Sequence, residues 1–89
     1  MGILMKSNGE VEEIKPSNGK TFSLQELQGF VQGYIEIVGV GNKYLVLNEE
    51  GKLNGLDMNR KATEIFIKYY GSTDVIVGDV LLADEDEIN

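Results

Sequence analysis

Residues 23–47 read SLQELQGFVQGYIEIVGVGNKYLVL, and a change of period inside this stretch decides the fold class. In the first half, Leu24, Leu27, Phe30 and Val31 recur at three and four, with Gln25, Gln28 and Gln32 off the stripe. That spacing predicts a helix packed by one face. Ser23 and Glu26 form the pattern of a capping box: the serine oxygen accepts from the Glu26 N–H, and the glutamate reaches back. Phe22, just before the cap, is placed to pack on Leu27 as a hydrophobic staple. Gly33 supplies the stop. The second half alternates. Tyr34 to Val40 predicts a strand with Ile35, Ile37 and Val38 in the core. Gly41-Asn42-Lys43 turns the chain, and Tyr44 to Leu47 returns it as an antiparallel partner. A capped helix followed by a hairpin places the chain in the α+β class.

Upstream, residues 2–6 and 10–15 read as two short strands around Ser7-Asn8-Gly9, because Asn-Gly tolerates the positive φ angles of a tight hairpin. Val11 and Ile14 are three apart rather than two, which fits a bulge or an early strand end. Pro16 closes the element, and Ser17-Asn18-Gly19-Lys20 is a further turn. Downstream, residues 48–63 read NEEGKLNGLDMNRKAT. A tight turn at Glu49-Glu50-Gly51-Lys52 and a bend at Gly55 lead into a second helix from about Asn59 to Tyr70. Its stripe is Ala62, Ile65, Phe66 and Tyr69, and Gly71 ends it. Residues 74–83 are strand-rich and interrupted by Gly78-Asp79. The expected order is β-β-α-β-β-α-β, in one mixed or mainly antiparallel sheet with both helices on one face. Residues 1–83 form one domain, and 84–89 an acidic mobile tail. One core is expected from Leu24, Leu27, Phe30, Val31, Ile35, Ile37, Leu45, Leu47, Ile65, Phe66, Val75, Val77 and Leu81.

Composition narrows function. Eighty-nine residues with 42% hydrophobic content suit a single core. The net charge is −7, of which Asp84, Glu85, Asp86 and Glu87 supply −4, leaving −3 elsewhere. Seven lysines and one arginine are scattered, so direct nucleic acid binding is not expected. No apolar run approaches the length of a membrane span. The opening Met-Gly-Ile-Leu-Met-Lys lacks the basic region of a signal peptide, so a cytoplasmic protein is expected. Histidine and cysteine are both absent, which removes the commonest general base, the common transition-metal ligands and the histidine-assisted nucleophiles. No Walker-type loop or EF-hand spacing is present. The chain is therefore expected not to be an enzyme and to need no cofactor. A small core without disulfide or metal favours homo-oligomers, with Val38, Val40 and Val46 as residues for a second copy to cover.

The best polar site lies where the second helix begins. Helix N-termini carry unpaired N–H groups and partial positive charge. Arg60, the only arginine, falls in that first turn and adds a planar fork suited to phosphate or carboxylate. Asn59, Asn48, Lys52 and Asn54 complete the candidate ligand set. In the competing reading, Gly51 and Gly55 are turns, Asn59 is a cap, and Arg60 pairs with Glu64 one helical turn on.

Three strings carry a resemblance: LQELQGFVQGYIEIV (24–38), NEEGKLNGLDMNRKAT (48–63) and DVIVGDVLL (74–82). Together they resemble the 3846 family of small domains of unknown function, carried by bacteriophages, prophages and conjugative elements. Where members commonly have a proline after Gly-Leu, this chain has Asp57. The resemblance implies a mobile-element accessory protein in a bacterial host cell. The expected role is counter-defence by sequestering a phosphate-containing nucleotide around Arg60. The alternative is an acidic interaction domain, in the extreme a DNA mimic, that blocks a host protein.

Overall fold

The computed structural model describes residues 1–88. The elements follow the expected order: β1 (Gly2–Met5), β2 (Val11–Ile14), α1 (Leu24–Val31), β3 (Ile35–Val40), β4 (Lys43–Asn48), α2 (Arg60–Tyr70) and β5 (Val80–Asp84), then a single 3-10 turn at Glu85–Glu87. The strands form one sheet in the order β2-β1-β5-β4-β3. Every strand pairing in it is antiparallel. The last strand thus lies in the centre, joining two hairpins.

The helices lie on opposite faces, not on one. Side chains of a strand alternate between faces. Along β5, Val80 and Leu82 pack with Met5, Leu45, Leu47 and Ala62 of α2. Leu81 and Ala83 pack with Leu4, Val46 and with Leu27 and Val31 of α1. The apolar runs Leu45-Val46-Leu47 and Val80-Leu81-Leu82-Ala83 need cover on both sides, as continuous runs in buried strands do. There are consequently two half-cores. Leu24, Ile37 and Val75 are exposed, although expected inside. Val40 and Val46 are buried by the chain's own helices, so no second copy is needed to cover them.

The first helix forms as its caps dictate. The Ser23 hydroxyl accepts from the Glu26 N–H at 3.1 Å, and the Glu26 carboxylate accepts from the Ser23 N–H at 2.9 Å. The Ser23 N–H, with a second donor in the Ser17 N–H at 3.1 Å, holds the Glu26 carboxyl below its usual pKa. Ser23→Ala is expected to lower stability by about 1 kcal/mol, read as a shift of the denaturation midpoint. The helix stops one residue earlier than its glycine. Gln32 takes the left-handed conformation, φ 64°, and its N–H bonds the Gln28 carbonyl at 2.7 Å. Gly33 is needed for a different reason: a Cβ there would stand 2.7 Å from the Asn48 amide nitrogen.

Two further expectations change. Residues 75–77 do not extend β5, and Val77 makes only an isolated bridge to Met58. Gly78, at φ +79°, turns the chain, and the backbone groups of Ile76 and Gly78 bond to the Asp57 and Asn59 backbone and to the Asn59 and Thr63 side chains rather than to a strand. Nor do residues 84–88 leave the fold. Asp84 ends β5, the Glu87 carbonyl accepts from the Phe22 N–H at 2.8 Å, and Ile88 packs on the α1 side. The Glu87 carboxylate is held 2.7 Å from the Met1 ammonium. Asn89, the last residue of the expected tail, lies outside the described residues.

Candidate functional site

The loop from β4 to α2 does not gather the five candidate residues. Asn48 and Asn59, at its two ends, are buried and spend their amides on the fold. Asn48 Nδ2 donates to the Val31 carbonyl at 3.0 Å, and its Oδ1 accepts from the Glu50 N–H at 2.8 Å. It ties the end of β4 to the end of α1. Asn59 is 1% exposed. Its Oδ1 accepts from the Ala62 N–H at 3.1 Å, as a helix cap should. Its Nδ2 donates to the carbonyls of Met5 and Gly78, both at 2.8 Å. The helix start is thereby bolted to β1 and to the approach to β5. Thr63, one turn on, adds a reciprocal pair with Ile76: its hydroxyl donates to the carbonyl at 3.2 Å and accepts from the N–H at 2.9 Å.

The other three candidates point to three places. Asn54 is exposed and lines a shallow depression with Tyr34, Gln28 and Glu50. Lys52 pairs with Asp74, and this hydrogen bond holds the Asp74 carboxyl below its usual pKa. Arg60 stands at the start of α2, exposed, in a hollow it lines with Lys61, Lys6, Glu64 and the Ser7-Asn8-Gly9 turn. Its expected pair with Glu64 is not formed, and Arg60 has no ion pair among the described residues. Lys61 Nζ donates to the Gly9 carbonyl at 3.2 Å, and Lys6 lies 3.9 Å from Glu10. The hollow they line has a volume of about 380 Å³. Asn59 spends its side chain on the Ala62 N–H, leaving the Arg60 and Lys61 N–H groups, which have no partner inside a helix.

A second depression lies on the α2 face beside the edge strand β3. Its floor is Val38, Leu47, Phe66 and Ile76, and its walls carry Glu36, Glu49, Glu50 and Asp74. The volume is about 230 Å³. Lys52, the one cation in this wall, is already paired with Asp74. Nothing in the sequence strings singled this groove out, since its lining comes from four separate segments. The clue was Glu36, the lone charge in an otherwise apolar strand.

No group of three or more Asp or Glu among the described residues is placed to hold a metal ion. No helix of the described residues is long and apolar enough to cross a membrane. Fold and surface together define a small α+β domain with an open cationic corner at one helix start and an acid-walled groove along one sheet edge. The chain belongs to the family described as Domain of unknown function (DUF3846), whose model matches residues 1–89, the whole chain. No curated protein and no solved structure matches it.

Proposed function

We propose that this protein is a non-enzymatic accessory factor of a mobile element that captures a small phosphate-bearing nucleotide at the corner where α2 begins. The observation that carries this reading is Arg60: exposed, free of any ion pair among the described residues, and beside Lys61 and Lys6. A phosphate seated there meets two helix N–H groups, the helix dipole and a guanidinium able to bond it bidentately. Asn59 serves this corner only by fixing where the helix starts. Lys52, Asn48 and Asn54 stand elsewhere and are not part of the proposed contact set. The counter-defence role rests on the mobile elements that carry the domains this chain resembles.

Calorimetry with cyclic dinucleotides and ADP-ribose derivatives tests it. Arg60→Ala is expected to weaken binding by about 2 kcal/mol, with the ligand-free melting temperature unchanged. Arg60→Lys is expected to restore only part, because an ammonium is not a fork. Equal affinity of Arg60→Ala and the parent would end the assignment.

A second reading, an acidic domain that engages a host protein, draws support from Glu36, Glu49, Glu50 and Asp74 around one groove. Residues 84–88 are poorer decoys, because the Asp84 and Glu87 carboxylates are already paired with Lys43 and the Met1 ammonium.

A further inference from the structure

The two edges of the sheet differ. β2, at one edge, reads Val-Glu-Glu-Ile, flanked by Glu10 and Lys15 and followed by Pro16. Charges and proline on an edge discourage further pairing. β3, at the other edge, reads Ile-Glu-Ile-Val-Gly-Val, with Glu36 as its one charge. Its backbone alternates in direction. The Tyr34 carbonyl, just before the strand, accepts from the Glu49 N–H after β4, so even-numbered residues face β4. The odd-numbered residues face outward. Gly39 confirms this, since its carbonyl accepts from the Tyr70 hydroxyl. Ile35 and Ile37 have no partner on that outer side among the described residues. Their N–H and C=O groups are a bare template for one more strand, and the acid-walled groove adjoins them on the α2 face.

We propose that the β3 edge and this groove together bind an extended, basic segment of a partner protein as a sixth strand. The inference rests on the reading of the chain as an acidic interaction domain. Charge selects the occupant. A strand added to β3 places one side chain opposite Glu36 and another opposite Val38, both on the groove face. The first position takes lysine or arginine, and the second an aliphatic residue that reaches the apolar floor of Leu47, Phe66 and Ile76. The alternate positions meet Ile35 and Ile37 on the other face, where β-branched residues fit. Running antiparallel, the segment carries its following residues past Tyr34 towards Glu49 and Glu50, which favours further cations there. A second copy of this chain is a poor occupant, because it would bring its own Glu36, Glu49 and Glu50 to a surface already acidic.

The probe is a capped peptide with leucine, valine, lysine, valine, lysine and arginine in that order, titrated into the whole protein by calorimetry and by amide exchange in NMR. Binding with new protection of the Ile35 and Ile37 amides is expected. Glu36→Lys, a change on the exposed edge, is expected to weaken it about tenfold, and a peptide with glutamate at the facing position to restore it. A peptide with proline in place of the second valine, which cannot donate to the Ile35 carbonyl, is expected not to bind. Equal binding of the proline peptide overturns the sixth strand. Salt-sensitive binding of polylysine without protection at Ile35 and Ile37 also overturns it but leaves the acidic-domain reading standing. Binding of neither peptide nor polylysine removes both. Protection of those amides in a dimer of the free protein assigns the edge to self-association and overturns the proposal.

Discussion

Asn59→Asp is expected to unfold much of the protein at neutral pH, losing about 3–5 kcal/mol of a total margin of about 5 kcal/mol. The substitution is nearly isosteric and keeps the acceptor that caps α2. What it removes are the two donors. A carboxylate oxygen would then face the carbonyls of Met5 and Gly78, each 2.8 Å from the present amide nitrogen. Two buried carbonyls each lose a donor, and a buried charge is added without a counterion. The environment raises the pKa of such an acid, because burial and facing carbonyls both disfavour its charged form. Its protonated form can donate once. The variant's deficit is therefore expected to shrink as pH falls through that raised pKa. Urea midpoints at neutral and mildly acidic pH measure both effects. An unchanged midpoint, paired with reduced ligand binding, would mean that Asn59 works as a binding residue.

Phe22→Ala is expected to cost about 3–5 kcal/mol, the loss typical of a fully buried aromatic side chain. Phe22 is 1% exposed and packs edge-to-face on Phe30, with ring centroids 5.9 Å apart. Its ring lies so close to β1 that a Cβ on Gly2 would stand 2.9 Å away. The variant leaves a cavity where β1, α1 and the segment at Glu87-Ile88 meet. Phe66→Ala is expected to cost about half as much, since that ring lines the open groove and is only half-buried. Thermal melts of the two variants rank them. A larger loss for Phe66 would place the weight of the fold on the α2 face instead.

The local elements were legible because their signals are local. Ser23 and Glu26 name a helix start from three residues of separation, and Asn8-Gly9 names a hairpin. The arrangement of layers was not legible, because a helix's stripe says that it packs but not on which face. The decisive mark was present in Val80-Leu81-Leu82-Ala83, a run with no polar face to leave in water. Val75-Ile76-Val77 misled by composition. In this run Ile76 gives its N–H and carbonyl to the Thr63 hydroxyl, with the Asn59 N–H also on that carbonyl, and Val75 gives its N–H to Asp74. The same two facts explain the candidate site. Asparagine in a glycine-rich loop looks like a ligand contact, whereas Asn48 and Asn59 act as fasteners whose amide nitrogens reach carbonyls 16 to 54 residues away. Arg60 stands at a helix start, as expected, because the cap that sets that start is local and visible in the sequence.

The central place of β5 has a consequence for biosynthesis. Everything before Val80 can form two separate hairpins, β1–β2 and β3–β4, but nothing joins them until β5 inserts between β1 and β4. While a ribosome is still holding those residues in its tunnel, both facing strands are bare and adhesive. Completion of the sheet then waits until β5 has emerged, and chains cut short ahead of Val80 have no sheet to complete.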